Sequence, residues 1–176
     1  MVRWAWLVIA FALAACSASD AGTPDAQSST KPDTSTAQNA AARPAVHPVS
    51  GLELINVTVD TGEERIGFLT ELADTPEAQS RGLMFRTELD DFAAMLFPSA
   101  SPQIRSFWMK NTPIPLDIVF IGTDNRIINI AAMTTPYSLE SVRSEGLAIA
   151  VFEIRGGRAA QLGIEAGDLV TWELPE

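Results

Sequence analysis

The last 126 residues of this 176-residue chain contain neither cysteine nor histidine. These absences exclude a cysteine nucleophile, a Ser-His-Asp triad and the usual zinc or copper sites of thiolate and imidazole. The chain also lacks the P-loop and GxGxxG motifs, in which glycine-rich turns bind phosphate groups. We therefore predict no cofactor and no metal, and any catalysis would depend on carboxylates, lysine, arginine or hydroxyl groups.

Positive charge is scarce as well. Residues 51–176 carry nine Lys or Arg against nineteen Asp or Glu, which gives this part of the chain a net charge of −10. Such a domain repels polyanions, so nucleic acid and anionic lipid headgroups are poor partners for it. We predict that the protein binds no nucleic acid.

The single cysteine, Cys16, follows an export signal. Arg3 supplies a short basic region, and Trp4 to Ala12 form an apolar stretch too short to span a bilayer. The sequence Leu-Ala-Ala-Cys that ends at Cys16 resembles the lipobox of bacterial lipoproteins, in which cleavage occurs before an acylated cysteine. We predict a signal peptide over residues 1–15 and a lipid anchor on Cys16. The alternative is an ordinary secretory signal with an incidental cysteine.

Residues 16–50 are predicted to comprise this cysteine and a disordered tether. Of residues 17–50, 22 of 34 are Ala, Ser, Thr or Pro, without apolar periodicity. A segment of this composition buries too little apolar surface to offset the entropy lost on ordering. The tether would place the domain in the periplasm-facing cell envelope, with the membrane as partner through the lipid. Ser17, where an aspartate would favour the inner membrane, favours the outer membrane.

Residues 51–176 are predicted to form one β-rich domain. Short β-branched and apolar runs alternate with turn residues, which is typical of strands. The predicted strands cover 52–59, 65–72, 93–97, 104–110, 115–121, 126–133, 147–154 and 168–174. Thr75, Pro76 and Glu77 predict a short helix that ends near Gly82, and a second helix is predicted at 157–162. Seven or eight such strands indicate a compact β-sandwich or barrel with one or two short helices.

The segment 107–120 contains polar residues in an otherwise apolar run. By strand alternation, Phe107 and Met109 belong to the core, whereas Trp108 and Lys110 share the other face. An aromatic ring beside an ammonium group suits a sugar ring or an anion. The alternative is that Lys110 merely extends along a half-buried Trp108 to solvent.

Two further polar residues of this segment are candidate ligand contacts. Asn111 precedes a stiff Pro113-Ile114-Pro115 link and could instead be a structural turn residue. Asp117 shares a face with Val119 and so interrupts an apolar stripe. It is either a site residue, as a general acid or base or a ligand-orienting group, or the partner of a nearby Arg or Lys in a structural network.

Glu153 is a second carboxylate in an apolar run, on the same face as Val151. Asp117 and Glu153, with Lys110, are the candidate catalytic groups, since paired carboxylates carry out glycoside hydrolysis. Arg81, near Arg86, could clamp a ligand carboxylate. The sequence does not show whether the two carboxylates lie close together.

Several motifs together resemble the domain of unknown function 192 family. They are the segments 81–86 (RGLMFR), 95–97 (MLF), 107–112 (FWMKNT), 115–120 (PLDIVF) and 151–154 (VFEI), with Gly157 and Gly167-Asp168. The resemblance implies a compact β-rich domain, often exported, and no established activity, substrate or cofactor.

The function favoured by these observations is binding of a small or glycan-like ligand by a lipid-anchored envelope protein. The predicted contacts are Trp108, Lys110, Asn111, Asp117 and Arg81. A hydrolase or lyase that uses Asp117 and Glu153 is one alternative, and a structural or protein-interaction module is another.

Overall fold

The computed structural model describes residues 46–175. Within them lie nine strands and two short helices. The strands are β1 (Leu54–Asp60), β2 (Arg65–Leu72), β3 (Ala93–Gln103), β4 (Ser106–Phe107), β5 (Leu116–Gly122), β6 (Ile127–Ala131), β7 (Val142–Arg143), β8 (Ala148–Arg155) and β9 (Leu169–Trp172), and the helices are α1 (Pro76–Arg81) and α2 (Arg158–Leu162). None of the helices described is long and apolar enough to cross a membrane. Cys16 and the predicted signal peptide lie outside the described residues.

Seven strands form one sheet in the order β6-β5-β8-β3-β2-β1-β9, and β4 pairs with β7 in a second, two-stranded sheet. All neighbours in the large sheet are antiparallel except β2 and β3, which are parallel. A parallel pair needs a crossover connection, and here it contains α1. The sheet does not close into a barrel, although Arg126 and Leu169 form one isolated bridge between its outer edges. The architecture is sandwich-like and mainly β, which confirms the predicted fold class.

The two faces of the central strands bury different clusters because side chains alternate along a strand. One face of β5 and β8 carries Val119, Phe152 and Ile154, which pack with α2 and with β1, β2 and β9. The opposite face carries Ile118 and Val151. Residues from the crossover after β2 and from the segment after β4 cover this second face. The sheet therefore supports two separate environments, and the candidate residues divide between them.

Three local features differ from the sequence-based expectation. The strand predicted at 104–110 contains only β4 and ends at Phe107, yet Met109 is still buried while Trp108 and Lys110 are exposed. Strand β3 continues past Phe97 to Gln103, and its prolines are tolerated because the ladder with β8 is irregular between Pro98 and Gln103. Strand β7 is only two residues long and gives little periodicity to detect.

The described residues include 46–50, which precede the predicted domain boundary at residue 51. His47 and Ser50, assigned to the tether from composition, contact Glu71 on β2. The Glu71 side chain is buried, and one nitrogen of Arg86 donates to both of its oxygens at 2.8 and 2.7 Å. A buried carboxylate needs such partners. Residues 47–50 supply some of them, although their sequence has no apolar periodicity.

Candidate functional site

Asp117 connects strand β5 with the segment after β6 and with the start of helix α2. Its carboxylate is fully buried and accepts hydrogen bonds from the backbone N–H groups of Met133 and Gly157 at Oδ1 and of Ala159 at Oδ2, at 2.8, 2.9 and 2.9 Å. Helix α2 has Gly157 at its N-cap and so no capping side chain of its own. Asp117 supplies that cap from β5. The arrangement corresponds to the structural alternative for Asp117, with backbone N–H groups rather than an arginine or lysine as partners.

Asp117 and Glu153 lie on opposite faces of the sheet. In the antiparallel register of β5 and β8, Asp117 stands opposite Ile154, and Ile118 stands opposite Glu153. Residues directly opposite each other share a face, and adjacent residues of one strand do not. The two carboxylates therefore cannot act on one bound molecule, so the geometry gives no support to a hydrolase built on this pair.

Glu153 faces a cavity of about 520 Å³ on the second face of the sheet. Helix α1 and the following residues form one wall, and residues 105–110 form another. The charged or aromatic side chains that line it are Arg81, Phe97, Arg105, Phe107, Trp108, Lys110 and Glu153. Asp117 and Asn111 are not among the lining residues.

Arg105 is the best-positioned cation of this cavity. Its guanidinium donates to Ser99 Oγ at 2.7 Å and to Gln79 Oε1 at 3.4 Å, and it lies 5.3 Å from the centre of the Phe107 ring. All these partners are uncharged. Partial burial lowers the pKa of Arg105, because the charged guanidinium loses part of its hydration. The guanidinium is thus oriented without a compensating anion among the described residues.

Two exposed cations stand with Arg105 around the cavity. Lys110 places its Nζ atom 5.1 Å from the centre of the Trp108 ring, and about half of Trp108 is exposed. Arg81 ends helix α1. Neither Arg81 nor Lys110 forms a salt bridge with a carboxylate of residues 46–175. Three positive charges therefore converge in a domain whose surface is strongly acidic.

Glu153 lies at the buried end of the same cavity. Only 5% of the residue is exposed, and no hydrogen bond to its carboxyl group occurs within residues 46–175. Desolvation raises the pKa of Glu153 to about 8. At neutral pH the group is therefore mainly a neutral carboxylic acid, with one O–H available to donate.

Asn111 has a local structural role. Its backbone lies in the left-handed region at φ 56°, where asparagine is tolerated better than most residues. Its carbonyl oxygen accepts from the N–H of Phe85 at 2.8 Å, which ties the turn after Lys110 to the segment after α1. The turn thereby connects two chain segments that line the cavity, one ending at Met84 and the other at Lys110.

Sequence reasoning missed Arg105 as a site residue. Alternation places Arg105 on the same face as Phe107 and Met109, the face interpreted as core. A charged residue is unusual on a face that otherwise faces the core, and this signal could have identified Arg105 as a site residue. Gln79 gave no such signal, because its contacts with Arg105 and with the carbonyl of Pro98 are long-range.

No group of three or more His, Cys, Asp or Glu side chains with the geometry of a metal site occurs among the described residues. The cavity offers cations, an aromatic surface and a buried acid instead. This cavity lies beside the central strands of a small, mainly β, sandwich-like domain.

The particular family follows from comparison. The model of the DUF192 family, described as an uncharacterized group, matches residues 57–172, and the chain belongs to this family. No curated protein matches the chain.

Two solved structures resemble this protein. A crystal structure of a protein of unknown function from Novosphingobium aromaticivorans is 52% identical, with a TM-score of 0.72 over 75% of this chain and 94% of that one. A protein from Sinorhizobium meliloti, suggested to be a transcription regulator, is 30% identical, with a TM-score of 0.67 over 69% of this chain and 95% of that one.

Proposed function

We propose that the protein is a binding module for a small, anionic, glycan-like molecule such as a sugar acid. The observation that carries this proposal is the convergence of three cations without carboxylate partners on one cavity. Arg105 is the most telling of them, because its half-buried guanidinium is oriented only by neutral groups. A bound anion would supply the missing counter-charge and form charge-assisted hydrogen bonds.

The aromatic lining supports a ring-shaped ligand. Trp108 borders the cavity with part of its indole exposed, and Phe107 lies beside it. A sugar ring has apolar C–H faces that pack on aromatic rings, while its hydroxyl groups need polar partners. The cavity volume of about 520 Å³ falls within the usual range for small-molecule sites.

The acidic charge of the domain favours this ligand class over nucleic acid. The suggestion attached to the Sinorhizobium protein is therefore not extended to this chain, since DNA binding needs a basic surface that neutralises phosphates. A small acid requires only the local positive potential of the cavity. The net charge of −10 elsewhere would repel larger polyanions.

The binding proposal can be tested by calorimetry on the full-length protein in detergent micelles. We expect D-glucuronate to bind and D-glucose, its uncharged relative, to bind at least tenfold more weakly. Lys110→Met and Arg81→Met keep an apolar stem but remove a charge, and each should weaken glucuronate binding about three- to tenfold. Added salt should reduce the affinity for the wild type.

Arg143→Met is the matched control. It removes the same charge from an exposed position that does not line the cavity and should leave glucuronate affinity unchanged. Equal weakening by all three substitutions would show a general charge effect rather than a site. Absence of glucuronate binding would contradict the proposed function.

We also propose that the protein is anchored in the cell envelope by a lipid on Cys16 and faces the periplasm. The lipobox-like sequence before Cys16 and the Ala/Ser/Thr/Pro-rich segment after it support this placement. An anchored binding module would hold its ligand near the membrane surface. Ser17 favours the outer membrane as the site of the anchor.

A further inference from the structure

The buried end of the cavity differs chemically from its mouth. Arg81 and Lys110 are exposed, and Arg105 is partly buried, whereas Glu153 is almost completely enclosed. Glu153 extends from β8, the strand between β3 and β5, and its cross-strand neighbours Met95 and Ile118 are apolar. The cavity therefore offers positive charge at its mouth and a lone carboxyl group at its floor.

The floor carboxyl lacks the protein partners that other buried polar groups of this fold possess. Asp117 accepts three backbone hydrogen bonds, and Glu71 is bonded by Arg86 and Ser50. Glu153 has no such partner among residues 46–175, and its carboxyl oxygens are not fully enclosed but reach the cavity. A carboxyl group that reaches the floor of a cavity without a protein partner is free to form a hydrogen bond with a ligand there.

Resting on the proposed function, we infer that Glu153 selects ligands with a neutral acceptor oxygen, to which its protonated carboxyl group donates a hydrogen bond. The rim cations would hold the acid group of the same molecule at the mouth. The ligand class is then a hydroxy acid or sugar acid, in which a hydroxyl or ether oxygen lies several atoms from a carboxylate. A simple hydrophobic acid would satisfy the rim but leave Glu153 unbonded.

The protonation state of Glu153 agrees with a donor role. The titratable groups that line the cavity with it are Arg81, Arg105 and Lys110, and none of them forms a salt bridge with Glu153. Burial therefore dominates and keeps the group neutral at pH 7. The rival state is an ionised Glu153 that pairs with a ligand ammonium group, and the two states predict opposite pH dependence.

The test compares D-glucuronate with cyclohexanecarboxylate, a ring acid without hydroxyl groups, on the full-length protein. We expect glucuronate to bind at least tenfold more tightly to the wild type. Its affinity should be constant from pH 6 to about 7.5 and fall toward tenfold per pH unit above about 8, as the donor proton is lost.

Two substitutions of Glu153 distinguish a hydrogen-bond donor from a negatively charged carboxylate at this position. Glu153→Gln keeps an N–H donor that cannot titrate, so affinity should remain within about threefold of the wild type at pH 7 and lose its decline above pH 8. Glu153→Leu fills the floor without a donor and should reduce glucuronate affinity at least tenfold, whereas cyclohexanecarboxylate affinity should not fall, because this acid has no hydroxyl group to accept a hydrogen bond at the floor. Circular dichroism and thermal melting would show that each variant is folded.

The outcomes distinguish this inference from the function on which it rests. If glucuronate binding needs Arg81 and Lys110 but is unaffected by Glu153→Leu, the floor contact is disproved and the binding module stands. If Glu153→Gln abolishes binding and wild-type affinity rises with pH, Glu153 acts as an anion and the donor role is disproved. If neither acid binds the wild type, both proposals fail.

Discussion

Glu153 shows how one residue can link stability to proton uptake. In the unfolded chain its carboxyl group titrates near pH 4.5, whereas burial in the folded domain raises the pKa to about 8. Between these values the folded state binds more protons than the unfolded state. The contribution of the neutral form to stability is therefore complete below pH 4.5 and is lost as the pH rises to about 8.

This linkage gives a prediction for Glu153→Gln. The variant cannot ionise, so its free energy of unfolding relative to the wild type should increase from near zero at pH 4.5 to roughly 4 kcal/mol at pH 8, at about 1.4 kcal/mol per pKa unit. Urea denaturation across this pH range measures the difference. A constant difference would show that folding does not raise the pKa of Glu153.

At the scale of elements, two residues at the start of β5, Pro115 and Asp117, bind neighbouring parts of the backbone. Before β5, the carbonyl of Pro115 accepts from the N–H of Gly156 at 3.0 Å, and a Cβ atom at residue 156 would lie 2.9 Å from Pro115. Within β5, Asp117 joins the start of α2 to Met133, whose backbone has a left-handed φ of 50°. The position after β8 therefore requires glycine, and α2 depends on a side chain distant in sequence.

Asp117→Asn should destabilise the domain without removing the ligand site. Asparagine presents an NH₂ group where one carboxylate oxygen now accepts, so at least one of the three backbone N–H groups would face a donor. We expect a loss of about 2–4 kcal/mol in the free energy of unfolding, measured by urea denaturation. Below the melting transition, glucuronate affinity should be retained.

Glu145→Gln is the comparison for this experiment, because Glu145 is exposed and its carboxylate makes no hydrogen bond within residues 46–175. Its effect should lie within about 0.5 kcal/mol. A similar effect of both substitutions would contradict the bracing role of Asp117.

At the scale of the whole molecule, charge and attachment work together in the proposed function. The acidic domain would be repelled by an anionic membrane surface. The proposed lipid on Cys16 would keep it near the membrane without surface binding. Residues 46–175 contain no helix that is long and apolar enough to cross a membrane.

Lipid attachment predicts a specific labelling result. The wild-type protein, expressed in a bacterium fed an alkyne-tagged palmitate, should incorporate the label, and Cys16→Ser should abolish incorporation because serine lacks the thiol. Ser17→Ala, one residue further, should still be labelled. Cleavage of the wild-type chain without labelling would instead support the ordinary secretory signal.

Most of the fold and part of the site could be predicted from the periodicity of apolar residues in the sequence. Alternation placed Asp117 with Val119 and Glu153 with Val151, and both placements agree with the structure. It could not show that these carboxylates point to opposite faces, because that depends on the register between β5 and β8. Long-range contacts such as Arg105 with Gln79, or Glu71 with Ser50, depend on the crossover and chain start, which have no periodic signature.

The pairing of β1 with β9 sets the order in which this chain can complete its fold. The first and last strands are neighbours, and β2 must wait for a twenty-residue crossover before it can pair with β3. Most of the sheet is therefore assembled from contacts between distant parts of the sequence, and such topologies fold slowly. Strand β9 is the last strand of the described residues, so its pairing with β1 can form only after the other eight strands have been synthesised. If the protein is exported as proposed, a slowly folding topology would leave more time for the unfolded chain to cross a membrane.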